Sequence, residues 1–514
     1  MSSSDIPPLV PDPEQPSKHR TVQDYIDERP VWADGTETPT TPMTPMQWRI
    51  WLLAIAGKFF EGMIVFMTGV ALPLISQEFS LEASDKGFVT AASLAGILVG
   101  ASALGGLSDF LGRKKMFIVE MIIFTVFLIA LSLAPNFPML VLFLFGVGIA
   151  LGCDYPTAHL VISESIPTLM RGRLVLGAFA FQAVGALVGT IIGCIILLKA
   201  PEVQAWRYMY ATAIIPAILV IVGRFFITDS PHWLLSRGRV EDAEKETHQL
   251  LKRHPQYPKF VRLFNPHKGE KAKPKAHYGM LFNKDNRKAT ILASVPWFLQ
   301  DLSTYGIGIF TPTILATLIG QKSDENTLKD IIHNDMLAAE GSAIMDLLFV
   351  FGILFAIFLV DKVGRIKLQV VGFIGCALGL FLAALSMNSD GSHNMVLLFA
   401  GFMLFFFMTN LGPNAMTYLL AGEVFPTQVR GMGAGFAASF AKIGAVLTAF
   451  LFPILLTDIG TQQLLFGLVG ASILGAIVTF IFAIETKGLK LDEIGQKPTD
   501  EEIDREREAD ADLV

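Results

Sequence analysis

Glu61, Asp154, Asp301 and Lys442 each lie well inside a long apolar run, where ionised side chains are rare. In hydrocarbon a charged side chain costs about 3 kcal/mol on insertion scales, so it needs a water-lined cavity, a partner or, for an acid, a proton. Buried acids can take up and release protons, and a buried ammonium can attract an anion. Tyr155, Gln182, Tyr305 and Asn414 add neutral hydrogen-bonding groups suited to phosphate oxygens or sugar hydroxyls, and Trp297 adds an apolar wall with one donor. The plainer reading pairs the carboxylates permanently with Lys58 or Lys442. Asp346, nearer the end of its run, is expected in a wetted vestibule. His159, one turn beyond Tyr155, is either a proton shuttle or a satisfied structural histidine.

The elements that must hold these residues are membrane helices. Only 17% of residues are charged and 52% are hydrophobic, and the charges cluster so as to leave long apolar runs. Twelve such runs are predicted: 49–75, 86–107, 115–134, 138–162, 174–198, 207–227, 289–318, 338–360, 366–386, 395–420, 432–456 and 463–484. Lipid offers peptide groups no partners, so each is expected to be a helix, giving an all-α integral membrane protein. Lys and Arg crowd the even-numbered connections and acids the odd ones, which predicts cytoplasmic termini. Residues 1–46, rich in Pro, Ser, Thr, Asp and Glu, read as a disordered tail open to phosphorylation or partner binding. The remaining divisions are 47–227, a linker at 228–288 with an amphipathic helix near Val240–Lys245 and a basic stretch suited to anionic headgroups, 289–484, and an acidic tail at 485–514.

The chain repeats itself at an offset of about 250 residues. Asp109 and Arg113 recur in spacing as Asp361 and Arg365, and Glu164, Pro167, Arg171 and Gly172 recur as Glu423, Pro426, Arg430 and Gly431. The same charged devices at the same places imply two pseudo-symmetric six-helix halves and a transporter body. Pairs drawn from Asp109, Arg113, Glu164 and Arg171 on one side and Asp361, Arg365, Glu423 and Arg430 on the other are expected to form a cytoplasmic gate that holds the inner ends together when the outside is open. Gly185, Gly189 and Gly193, stepping by four, mark a face for close helix packing.

The duplicated Asp…Gly-Arg loops, with six runs on either side of a basic connection, resemble the major facilitator superfamily. Ser230-Pro231-His232-Trp233-Leu234 and Glu485-Thr486-Lys487-Gly488 look like signatures of its sugar-porter-like group. Gly152-Cys153-Asp154-Tyr155-Pro156 with Ser163-Glu164 resembles the fourth-helix signature of proton–phosphate symporters. Gln182, Trp297, Asp301, Tyr305, Asn414 and Lys442 match that branch's positions in later helices. The resemblance implies that these residues line a central site for phosphate and protons. The chain departs from the pattern at Cys153, Thr157 and Glu61, where a glycine, a leucine and an aspartate are usual.

No Gly-x-x-x-x-Gly-Lys-Ser/Thr loop, nucleophile context or metal-ligand spacing is present, so neither enzyme chemistry, cofactor nor metal is expected. Cys153, Cys194 and Cys376 read as small packing residues. The first apolar run begins too late for a cleavable signal. These observations lead to a monomeric, proton-coupled carrier of phosphate or a similar small anion in a plasma or bacterial inner membrane, with no nucleic-acid partner. Asp154 and Glu61 are expected to carry protons, and Asp301 to serve both proton and substrate. An organic acid, sugar or polyol is the alternative cargo. A nutrient sensor that binds without turnover is the alternative of another class.

Overall fold

Each of the twelve apolar runs closes its peptide hydrogen bonds as a helix, as the solvent requires. The computed structural model describes residues 20–29, 41–104, 107, 111–252, 261–263, 277–320, 328–387, 394–426 and 429–487, and among them there is no β-strand. A short helix, α1 (Val22–Asp27), precedes the first span, α2 (Pro45–Phe79). Then come α3 (Ala83–Val99), which runs on as a π turn over Gly100–Leu104, α4 (Arg113–Ser132), α5 (Phe137–Ser165) and α6 (Thr168–Lys199). The sixth span is broken into α7 (Ala205–Ala211) and α8 (Ile214–Phe225). Pro216 lacks the N–H that Thr212 O would accept, which explains the break. Two polar-faced helices follow, α9 (Pro231–Ser236) and α10 (Val240–Leu251).

The second set is α11 (Arg287–Gly320), α12 (Leu328–Val363), α13 (Arg365–Leu385), α14 (Met395–Leu411) with α15 (Pro413–Glu423), α16 (Arg430–Asp458) and α17 (Gly460–Ile481). Gly412 separates α14 from α15, and Pro413 starts the new helix at the position where its missing N–H is harmless. Ten of the spans are apolar and long enough to cross a membrane on composition alone. The other two are α3, short before its π turn, and α11, which carries Gln300, Asp301, Thr304 and Tyr305.

Helices α2 and α6 meet backbone to backbone. A Cβ on Gly62 would lie 1.9 Å from Gln182 O, and one on Gly185 would lie 2.0 Å from Phe59 O. This close approach brings Glu61 and Gln182 together. The halves also touch through α2 and α11, where a Cβ on Gly69 would lie 2.1 Å from Ile309 O. Thr90 Oγ1 donates to Ala449 O (2.7 Å) between α3 and α16, and Thr190 Oγ1 to Asp346 Oδ2 (2.7 Å) between α6 and α12. Most of these contacts lie toward the end away from the termini, which is therefore the closed end. Asp346 is 2% exposed, so it is a seam residue rather than part of a wet vestibule.

The N-terminal segment corrects an expectation. Part of the stretch read as disordered is folded: Thr21 caps α1 in a capping box with Asp24, and Val22, Tyr25 and Ile26 are buried. Three apolar residues at helical spacing, packed against Ala243, Leu250 and Leu251 of α10, supply the burial that composition alone did not reveal. Residues 1–19, 30–40 and 488–514 lie outside the described residues.

Overpacking such a contact costs about 1–3 kcal/mol. Gly185→Leu is therefore expected to lower the melting temperature of the protein in detergent. Gly172→Ala, with nothing within 4 Å of its Cβ, should leave it nearly unchanged. Equal melting of the two variants would contradict the packing assigned to α2 and α6.

Candidate functional site

At mid-span, six polar side chains from four helices form one connected network across the seam. Lys58 Nζ donates to Glu61 Oε2 at 2.6 Å, one helical turn along α2. Tyr305 on α11 is the hub. Its hydroxyl accepts from Lys442 Nζ (2.7 Å) and Gln182 Nε2 (2.9 Å) and donates to Glu61 Oε1 (3.0 Å). Lys442 also reaches Asp301 Oδ2 (3.2 Å) and Glu61 Oε1 (3.4 Å). Lys58, Glu61 and Gln182 come from the first half; Asp301, Tyr305 and Lys442 come from the second. All are buried, none more than 9% exposed. Two ammonium groups and two carboxylates balance, which is how four charges can coexist at low dielectric.

Other expected residues take neighbouring places. Tyr418 stacks on Phe179 across the seam (4.5 Å) and meets Trp297 edge-on (6.2 Å), so Trp297 forms part of an aromatic floor. Asn414 belongs to an amide ladder: Gln300 Nε2 donates to Asn414 Oδ1 (2.9 Å), and Asn414 Nδ2 donates to Asn410 Oδ1. Tyr155 lies on α5, but its side chain falls outside the described residues. Cys153, Cys194 and Cys376 are buried free thiols.

Asp154 sits elsewhere. It pairs neither with Lys58 nor with Lys442 but with Arg224, whose Nη2 donates to Asp154 Oδ1 at 2.7 Å. The same guanidinium donates to Glu120 Oε1 (3.0 Å) and to the carbonyls of Phe117 and Leu53, and it stacks 3.3 Å over the Phe117 ring. Arg224 is 0% exposed and Glu120 1%. A planar donor fork fits this crowd of acceptors better than an ammonium would. Two carboxylates share one cation, wholly inside the first half. A Cβ on Gly57 would lie 1.6 Å from Asp154 Oδ2, so α2 can pass the aspartate only as glycine.

The cytoplasmic gate is expected of a form open at the far end, whereas this structure is closed there. In this form Arg113 and Glu164, and Arg365 and Glu423, pair within their own halves. Arg113 Nη2 binds Glu164 Oε1 (3.2 Å), and Arg365 Nε binds Glu423 Oε2 (3.2 Å). Ser230 Oγ donates to Glu164, and Thr486 Oγ1 donates to Glu423. Asp229 accepts from Lys114 N and Glu485 from Arg365 N, so each carboxylate caps the helix that follows a glycine of positive φ, Gly112 or Gly364. Arg171 donates to Gln23, and Arg430 to Phe425 O. Among the described residues, one ion pair crosses between the halves at this end, Arg173–Asp361 at 3.5 Å, and both partners are exposed. Asp109 lies outside the described residues.

Residues 50–497 match the family model described as "Sugar (and other) transporter". The chain belongs to this transporter family. Among its relatives is the putative metabolite transport protein YaaU of Escherichia coli, 29% identical over 86% of this chain and 93% of the relative. The major myo-inositol transporter IolT of Bacillus subtilis is 29% identical over 85% and 91%, and a putative inorganic phosphate transporter of Schizosaccharomyces pombe is 28% identical over 88% of each. The fold is that of the xylose transporter XylE of E. coli in a partially occluded inward-open conformation. That match has a TM-score of 0.70 at 19% identity, covering 87% of this chain and all of that one. The transporter fold of the major facilitator superfamily is thus confirmed, with twelve spans in two halves.

Within this transporter, sequence reasoning missed Glu120, Arg224 and the helix-capping roles of Asp229 and Glu485. The signal for the first two was available: both are ionisable residues inside apolar runs, as Glu61 is. Removing one partner from a buried ionic cluster costs about 3–5 kcal/mol. Arg224→Met is therefore expected to unfold or strongly destabilise the transporter in detergent. Adding Glu120→Gln and Asp154→Asn should recover much of the lost melting temperature. An Arg224→Met variant as stable as the parent would contradict the ionic role assigned to Arg224.

Proposed function

We propose that this transporter is a proton-coupled symporter of inorganic phosphate or a similarly small anion, working by alternating access. The observation that carries the reading is the balanced four-charge network joined through Tyr305 at the seam between the halves. An anion can reach Lys58 and Lys442 only by displacing Glu61 and Asp301. A displaced carboxylate repels the anion; a protonated one donates a hydrogen bond to it. Proton and anion binding then reinforce each other, and linkage makes the effect reciprocal. Lys58, Lys442, Tyr305, Gln182, Trp297, Asn414, Asp301 and Tyr155 are the proposed substrate contacts.

Protons are proposed at Glu61, Asp301 and Asp154. For Asp154 the support is that Glu120 and Asp154 face one guanidinium, leaving one negative charge that a proton neutralises. XylE, of the same fold, is named a proton:xylose symporter. The phosphate transporter among the relatives favours an anion cargo. The amide ladder of Gln300, Asn414 and Asn410 favours a second reading, a hydroxyl-rich sugar or polyol, as in the named cargo of IolT.

The proposed arrangement places halves 47–227 and 289–484 around this site, joined by the linker 228–288, with both tails cytoplasmic. The protein is proposed to work as a monomer in a plasma or bacterial inner membrane. The terminal charges Asp109, Arg113, Glu164, Arg171, Asp361, Arg365, Glu423 and Arg430 are proposed to exchange partners across the seam when the far end opens. Exposed pairs contribute about 1 kcal/mol or less each, enough in combination to bias two conformations. Asp109→Asn with Glu423→Gln should then raise labelling of a thiol placed inside the cytoplasmic opening, and unchanged labelling would reject the gate.

The deciding experiment is uptake of labelled phosphate into proteoliposomes under an imposed pH gradient. Wild type should accumulate phosphate uphill. Asp154→Asn should lose pH-driven accumulation while keeping exchange, and Asp301→Asn should lose binding. Accumulation of inositol but not phosphate would select the polyol reading. Binding without accumulation of any solute would make the protein a sensor.

A further inference from the structure

The N-terminal segment was given no role of its own in the transport cycle proposed above, yet it is tied to α2 and α6 of the first half and to α10 and the chain after it in the linker. Asp27 accepts from Thr168 N and Thr168 Oγ1, both at 2.7 Å, and so caps the start of α6. Gln23 donates to Thr168 Oγ1 (3.1 Å) and accepts from Arg171 Nη2 (3.2 Å). The Tyr25 hydroxyl donates to Arg262 O and accepts from Arg262 N, each at 3.2 Å. Val22, Tyr25 and Ile26 are buried with α10 and the start of α2. The segment is a clasp holding the chain after α10 against α2 and α6.

Threonine hydroxyls close this clasp. Thr41 Oγ1 donates to Asp27 O at 2.9 Å, and Thr44 Oγ1 donates to Leu250 O at 2.6 Å. Both threonines are followed by proline, and Thr38-Pro39 stands just before them. Thr41 is 7% exposed. The hollow beside it is lined by Asp27, Arg29, Thr41 and Pro167–Met170, so a substituent on Thr41 would enter a space bordered by both Asp27 and Arg29, with the Asp27 carboxylate already held by Thr168.

We propose that Thr41 is a phosphorylation site for a proline-directed kinase, and that the phosphorylated segment cannot close on α6. In the transfer, Thr41 Oγ bonds to the γ-phosphorus of a nucleoside triphosphate and the bridging β–γ P–O bond breaks. Nucleoside diphosphate leaves, and the hydroxyl proton passes to the kinase's base. The group that donated to Asp27 O becomes an ester with acceptor oxygens and about −1.5 to −2 charge, facing a carbonyl and a carboxylate. Modification occurs on the open segment and blocks its return. With the clasp, α6 loses the Asp27 cap and Arg171 loses Gln23. The proposal rests on the cytoplasmic placement of the termini, where nucleoside triphosphate is available.

The test uses the purified full-length chain in detergent with a proline-directed kinase and ATP. Mass spectrometry should place phosphate on Thr41, and amide exchange across 22–27 should quicken at least about tenfold, with a smaller increase at 168–171. Thr41→Glu should reproduce the change without kinase, whereas Thr41→Val should show a weaker one. Phosphate confined to Thr38 or Thr44 would overturn the site. Phospho-Thr41 with unchanged or slowed exchange would overturn the release, slowed exchange meaning that Arg29 holds the phosphate in the hollow. A separate arm treats sealed vesicles of known sidedness with external kinase. Labelling of right-side-out vesicles alone would refute the cytoplasmic placement of the termini while leaving the chemistry at Thr41 intact.

Discussion

Charge in hydrocarbon must be neutralised where it stands, and the architecture follows from how this chain does so. Lys58 and Glu61 balance on one helix; Lys442 and Asp301 balance across two others. Neither pair is self-sufficient, because Lys442 also faces Glu61 and Tyr305 bonds to both sides. The halves are therefore joined at mid-span by polar groups whose partners can be exchanged. They are joined toward the far end by close backbone contact, as at Gly69 and Gly87. A seam sealed only by apolar packing would have no reason to respond to protons. One sealed by exchangeable partners offers the proposed proton coupling a place to act.

The proposed alternating access needs rigid parts on either side of the seam. The repeated devices supply them: Arg113 with Glu164 and Ser230 in one half, Arg365 with Glu423 and Thr486 in the other. Each ties the start of its third helix to its fourth and to the segment leaving its sixth. The glycine contacts between α2 and α6 serve the same end inside the membrane. The movement proposed for transport would thereby fall at the seam, where the bonds are between side chains and can re-form.

Much of this was legible in the sequence, and the reasons for the gaps are physical. Apolar length set the spans because lipid leaves the backbone no alternative. Lys442, Asp301, Glu61, Gln182 and Tyr305 were named from their types, and the structure brings them within hydrogen-bond reach of one another. Pairing was not legible. For Asp154 the plainer alternative to proton coupling offered only Lys58 or Lys442 as partner, but Arg224 from the sixth span reaches it, and spacing along the chain says nothing about which helices are neighbours. The repeated acids and arginines were read as partners across the seam in a form open at the far end, which says nothing of their arrangement in the closed form. Their local partners, Ser230 and Thr486, belong to segments recognised as signatures but given no physical role. The buried face of Val22, Tyr25 and Ile26 was hidden by the polar composition around it.

The two ionic clusters differ in one respect that bears on mechanism. The network around Tyr305 spans the seam, so any relative movement of the halves alters its distances. The Glu120–Arg224–Asp154 cluster lies within one half and keeps its partners through such movement. A proton held in the first would be sensitive to conformation directly; one held in the second would be sensitive only through access. Gly57 and Lys58 are consecutive residues of α2, and the first touches Asp154 while the second binds Glu61. A shift of α2 that changes one contact must change the other. The backbone of a single helix therefore connects the two clusters, and no chain of side chains is needed between them.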